Sequence, residues 1–184
     1  MKICLINVPN TYELIGNDPV IIKDQQGVYP PLGILYIASC IKQAGKHEVH
    51  VIDSQADELT HSQLAQKLYE LKPDIVGLTA MTFTLVDCKL TIQEIRKRFD
   101  PIIVVGGPHT AIYPSECFNK DGLAADFVVV GEGELTFQTL IDDIESGKIK
   151  RFSSIDERTY RQVSFIQDLN LLPFPARELT HIDN

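Results

Sequence analysis

The chain has 184 residues, 44% of them apolar, with 17 basic against 25 acidic side chains and a formal net charge of −8. That length buries one core of ordinary size, the acidic balance disfavours nucleic acid or an anionic membrane as partner, and no apolar run approaches the ~20 residues of a membrane span. The start, MKICLINVPN, has one Lys ahead of a short apolar run and lacks a small-residue cleavage site, so no signal peptide is expected and the reading is cytoplasmic. KICLINV (2–8) reads as the first strand. Gly33 to Ala44 reads as a helix stopped by Gly45 in the left-handed conformation. HEVHVID (47–53) is a second strand. Thr60 is the expected N-cap of a helix carrying Leu64, Leu68 and Leu71 on one face, and Pro73-Asp74 leads into a third strand, IVGLTA (75–80). A helix from about Leu85 to Phe99, a strand IIVVG (102–106), a short helix near Tyr113 to Phe118, a strand DFVVVG (126–131) and a helix from Leu135 to Ser146 follow.

Five apolar strands alternating with helices predict an α/β fold, a doubly wound five-stranded parallel sheet. Right-handed crossovers and the need to cover both faces favour the flavodoxin-like order 2-1-3-4-5, with a crevice between strands one and three. After Gly147 the alternation stops. Residues 1–147 read as one domain, and 148–184 as a linker or truncated join, with one or two short strand-like pieces and a Pro-Phe-Pro turn. Cys4, Cys40, Cys88 and Cys117 lack the close spacing of a zinc or iron–sulfur site and read as reduced thiols in or near the core.

Three turns at strand ends carry the functional information: Thr79-Ala80-Met81-Thr82, Gly106-Gly107-Pro108-His109 and Gly131-Glu132-Gly133-Glu134. All three fall on the carboxyl edge of one sheet, where open α/β sheets bind ligands. Each admits a plain reading as well. A glycine pair lets a backbone approach a bulky ligand or makes a tight turn. The threonines offer hydroxyls or pack as strand residues. Glu132 and Glu134 sit where a helix dipole favours carboxylates. Between the first strand and its helix runs a segment from Pro9 to Pro31, far longer than the usual ~2–6 residues. It carries Gly16, Gly27, Tyr29, Pro30 and Pro31, follows Asn7, and reads as a mobile surface loop or as a lid over a ligand.

Taken in order, YPPLGILYIASCIKQAG (29–45), VGGPHTAIYPSE (105–116), VVGEGE (129–134) and DLNLLPFPAREL (168–179) resemble the N-terminal cobalamin-binding domain of cobalamin-dependent radical S-adenosylmethionine enzymes, the magnesium-protoporphyrin monomethyl ester cyclase-like group. The resemblance covers nearly the whole chain. It implies a corrinoid held at the carboxyl edge of the sheet, for methyl transfer or related radical chemistry, with the nucleotide tail threaded between strands. The site residues it implies are Asn7, Pro9, Tyr29, Pro31 and Gly33 near the first strand end; Thr79, Ala80, Met81 and Thr82 along the tail pocket; Gly106 and Gly107 beside the tail, with His109 at the rim; and Gly131, Glu132 and Glu134 in the glycine-glutamate turn.

Two motifs of related proteins are absent. The loop after the first strand has no His to supply an axial ligand, and no CxxxCxxC is present to hold a [4Fe–4S] cluster. The resemblance therefore implies a chain that alone does not cleave S-adenosylmethionine and that ends before a C-terminal radical barrel of the same parent protein, where S-adenosylmethionine and the cluster would bind. The alternative is a flavodoxin-like interaction module without cofactor. A receiver domain lacks support because Asn7-Val8-Pro9 and Thr79 stand where it needs acidic residues, and a flavodoxin because the Pro-rich loop is no phosphate cradle.

Overall fold

The computed structural model describes residues 1–12, 29–163 and 165–180. Six parallel strands, β1 (Lys2–Asn7), β2 (Glu48–Asp53), β3 (Ile75–Thr79), β4 (Ile102–Gly106), β5 (Phe127–Val130) and β6 (Thr159–Arg161), form one sheet of order β2-β1-β3-β4-β5-β6. The five-strand order read from the sequence is present, and β6 extends it by one. No helix among the described residues is long and apolar enough to cross a membrane.

The inner strands are buried on both faces, which is why they read as unbroken apolar runs. Ile3, Leu5, Ile75, Val104, Phe127 and Val129 face α1 (Leu32–Ala44) and α5 (Gly133–Glu145), packing with Ile34, Ile41, Phe137 and Leu140. Cys4, Ile6, Val76, Leu78, Ile103 and Val105 face α2 (His61–Leu71) and α3 (Leu85–Arg96), packing with Leu64, Leu68, Ile92 and Ile95. Each of the larger side chains contributes about 1.5–3 kcal/mol by leaving water. Thr60 and Gln63 exchange capping hydrogen bonds at the start of α2, and Gly45, at φ 70°, ends α1 by donating to Lys42 O.

The sequence differs from the structure most after β4. Gly107 turns the chain at φ 100° and Pro108 occupies the first helical position, so α4 (Pro108–Ile112) begins at once, ahead of the 3₁₀ turn Pro114–Phe118. β6 has the sequence TYR, with no apolar signature, and pairs only at the sheet edge. Arg151, which pairs with Asp100 and Asp126, fastens the segment leading to it beneath β4 and β5. Farther on, the chain returns over α1, where Ala176 is buried and its N–H donates to Leu35 O.

Candidate binding site

The strand ends Asn7, Thr79 and Gly106 and the first turns of α1 and α5 surround a cleft of about 710 Å³ that runs down the α1/α5 face of the sheet. Its floor is the cross-strand row Leu5, Gly77, Val104, consecutive partners in β1, β3 and β4. Gly77 makes the floor possible. A Cβ there would lie 2.7 Å from Leu5 Cδ2 and 3.3 Å from the Phe137 ring. Ile37 and Phe137 form the helical wall, and Val129 closes the β5 side.

The two glycines after β4 do different work. A Cβ on Gly107 would meet Ala80 O and Thr79 Cγ2 at 2.8 Å, and its φ is one that side-chain-bearing residues rarely adopt. The surrounding turn is laced together: Ala80 N–H donates to Gly106 O, His109 N–H to Ala80 O, and the buried Thr110 hydroxyl to Gly107 O and Val129 O. Gly106 keeps an ordinary φ, and the nearest neighbour of a Cβ on it would be Val129 O at 3.8 Å. Gly107 thus shapes the turn, while Gly106 leaves the cleft wall open.

Of the residues expected from sequence, Asn7, Pro31, Gly33, Thr79, Met81, Gly106, Gly107, Gly131, Glu132 and Glu134 line the cleft. Pro9 and Ala80 are buried and do not line it, and Tyr29 is exposed outside it. Thr82 is also outside, its hydroxyl 3.2 Å from His109 Nδ1. His109 was expected at the rim. It is instead 3% exposed within α4, against Tyr113, and does not line the cleft. Gly16, Gly27 and the central part of the 9–31 segment lie outside the described residues. The sequence reading missed Leu5, Gln55, Gly77, Val104, Val129 and Phe137. Gly77 had a signal, a glycine inside a strand, which marks a close approach. The apolar floor had none, since it follows the same pattern as the core.

No Lys, Arg or His is among the described residues that line the cleft, and its acidic groups are Glu132 and Glu134. Glu132 N–H donates to Gln162 Oε1 at 3.0 Å, so the residue just past β6 holds the turn after β5. Glu134 Oε2 is buried without a hydrogen-bond partner among the described residues. Asn7 Nδ2 is committed to Asp53 Oδ1 at 2.9 Å, and Gln55 Nε2 to Val8 O. Burial raises the Cys40 thiol above its ordinary pKa, and the nearby Glu134 charge adds to that.

On the opposite face, a fully buried carboxylate, Asp87, accepts from Tyr12 N at 3.0 Å and lies 2.9 Å from His61 Nε2. Tyr12 stacks on the His61 ring, so the first residues of the long segment after β1 are tied to α2 and α3.

Residues 19–141 match the family model described as the B12 binding domain. The chain is 34% identical over 163 residues to an uncharacterised methyltransferase of Pyrococcus horikoshii, covering 84% of this chain and 35% of that protein. It is 34% identical over 125 residues to the anaerobic magnesium-protoporphyrin IX monomethyl ester cyclase of Rubrivivax gelatinosus, covering 66% of this chain and 22% of that one. Among solved structures, the radical S-adenosylmethionine methyltransferase TsrM from Kitasatospora setae, with cobalamin and a [4Fe-4S] cluster bound, superposes with a TM-score of 0.62 at 18% identity, over 79% of this chain and 25% of that one. The chain thus spans about a fifth to about a third of the length of these curated relatives.

Proposed function

Because the chain belongs to the B12-binding domain family, we propose that it holds cobalamin at the carboxyl edge of its sheet, the nucleotide tail in the cleft and the corrin ring over the strand ends. The observation that carries this is the cleft itself: a deep slot with an apolar floor, kept open by Gly77 and Gly106 and free of cationic lining among the described residues. A flat aromatic base with methyl groups fits such a floor. Around the mouth, Leu32, Phe83 and Leu135 expose large apolar side chains, a surface suited to the face of a macrocycle.

Gly106, Val104 and Val129 would flank the tail, and the Gly131–Glu134 turn would border its entry. Bound there, cobalamin supplies a cobalt centre able to carry a methyl group. A radical S-adenosylmethionine barrel in the same parent chain is supported by TsrM, a radical S-adenosylmethionine methyltransferase with cobalamin and a [4Fe-4S] cluster bound. Residues 148–184 would lead toward that barrel. The four buried unpaired cysteines support a cytoplasmic location.

The test is direct. Protein incubated with hydroxocobalamin and desalted should retain a stoichiometric corrinoid, seen in its visible spectrum. A colourless protein after desalting would refute the proposal.

A further inference from the structure

We propose that His47, Asp142 and Glu145 form a binding site for a divalent transition-metal ion, Zn²⁺, at the end of the sheet opposite the cleft. The site is separate from the cobalamin reading and stands or falls without it.

His47 immediately precedes β2, and Asp142 and Glu145 lie in the last turn of α5, where positions three apart share a face. Crossover helices run against the direction of the parallel strands they join, so the start of β2 and the end of α5 meet at the amino edge of the sheet, away from the strand ends that border the cleft. Among the described residues, this is the one place where three metal-ligating side chains come together. An imidazole nitrogen and two carboxylate oxygens lie within 4.8 Å of one another.

Two independent observations point to an ion between them. The first is the imidazole. Its side chain is 2% exposed, Nδ1 is 3.3 Å from the Met1 amino nitrogen, and Nε2 is turned to Glu145 Oε2 at 4.0 Å, beyond hydrogen-bond reach. A ring that served only as a charge partner would gain by closing to the ~2.7–2.9 Å of a charge-assisted hydrogen bond. Two ligands on one tetrahedral ion, each at ~2.0–2.2 Å, stand about 3.4 Å apart. The observed gap is nearer to that spacing, and a small rotation of the half-exposed Glu145 closes the difference. The ring is also held from its other nitrogen, which is how ligating imidazoles are oriented. The second observation is the helix end. The last turn of α5 carries Asp142, Asp143 and Glu145 and no basic residue, although the negative end of the helix dipole disfavours carboxylates. Lys148 pairs with Asp143, and the exposed Lys46 comes no closer than 3.8 Å to Asp142. A doubly charged ion displaces Lys46 and neutralises both remaining carboxylates.

The donor set selects the metal. One imidazole nitrogen with two carboxylate oxygens suits Zn²⁺, whereas Mg²⁺ and Ca²⁺ favour oxygen ligands alone. Bound there, the ion fastens the end of α5 to the start of β2, two elements that both pack on α1.

The experiment titrates untagged protein, stripped of metal with EDTA, with Zn²⁺ beside Asp142→Asn and Glu145→Gln, whose half-exposed side chains tolerate replacement. His47→Ala is read with them, since loss of a buried ring lowers stability by itself. The parent should bind one more equivalent of Zn²⁺ than any variant. Its melting temperature should rise by about 5 °C or more at a hundredfold excess of free Zn²⁺ over Kd, while the variants stay level. Mg²⁺ at the same concentration should leave the parent unmoved. Loaded with Co²⁺, the parent should show ligand-field bands without a sulfur-to-cobalt charge-transfer band. A parent that Zn²⁺ does not stabilise overturns the proposal. So does an equal rise in both carboxylate variants, an equal rise with Mg²⁺, or a charge-transfer band that places the ion on cysteine.

Discussion

Gly106 and Gly107 are adjacent and chemically identical, yet substitution should separate them. Gly106→Leu places its side chain in the cleft without a backbone clash, so corrinoid retention should be abolished while the circular dichroism spectrum and melting temperature stay near the parent's. Gly107→Leu forces a Cβ against Ala80 O at φ 100° and should cost more than ~1 kcal/mol of stability, so its loss of binding would report on the fold. Equal corrinoid retention by Gly106→Leu and parent would remove the tail from this wall. The cysteines make a second prediction at this scale. Burial pushes the Cys4 and Cys88 thiols up to about 12 and the Cys117 thiol to about 11. The folded chain thus favours the neutral thiol. That contribution is complete below the ordinary value near 9 and is lost as the pH rises toward 11 or 12. The urea midpoint should therefore fall between pH 9 and 11, and in cysteine-to-alanine or serine variants this alkaline decline should flatten; the same decline in the variants would assign it elsewhere.

Between elements, the pair formed by Asp87 at the start of α3 and His61 at the start of α2 holds the two helices and Tyr12 together. Asp87→Ala should leave the Tyr12 N–H and the His61 ring without their acceptor. The cost should be about 1–3 kcal/mol in all, read from the denaturation midpoint. An unchanged midpoint would mean that water replaces the carboxylate. Nothing in the sequence signals this contact, because 26 residues and a crossover separate its partners. The elements themselves were far more legible. IVGLT and IIVVG are buried on both faces and so read as strands from composition, and Thr60 and Gly45 marked helix ends by their own chemistry. α4 was hidden by a glycine-proline sequence that reads as a turn, and β6 by the polar character of an edge strand. The site shows the same division. Two of its turns were visible because glycines punctuate the ends of β4 and β5, whereas its floor of Leu5, Val104 and Val129 looks like any other core.

At the scale of the whole molecule, charges tie the late segment to the sheet. Arg96 and Arg151 alternate with Asp100 and Asp126 beneath β4 and β5, and Tyr160 of β6 donates to Asp143 of α5. Hydrogen bonds from Arg151 hold the Asp100 carboxyl below its ordinary range, and those from Lys148 and then Tyr160 do the same for Asp143. Carboxyls depressed in the folded state contribute stability that is complete above the ordinary value near 4 and is lost as the pH falls through the folded value. Arg151→Met should therefore give a shallower loss of stability below pH ~4 than the parent; identical acid limbs would show that the ring contributes nothing there.

The arrangement of histidines makes a prediction for the loaded protein as a whole. His61 is engaged with Asp87, His109 lies within α4 beside Tyr113, and neither His47 nor His50 lines the cleft. The sequence from Pro9 to Pro31 contains no histidine, and His181 lies outside the described residues. A metal-bound imidazole nitrogen must come within ~2.0–2.2 Å of its ion. If the tail base occupies the cleft as proposed, with no histidine lining it among the described residues, the lower face of the ring should have no nitrogen ligand. Electron paramagnetic resonance of the cob(II)alamin-loaded protein should then show cobalt hyperfine lines without nitrogen superhyperfine splitting. A splitting in the parent that disappears in His109→Ala would mean that α4 rearranges on binding to deliver its histidine. A splitting that persists in His109→Ala and is absent with cobinamide would mean that the base stays on the metal, and that the cleft holds some other part of the cofactor.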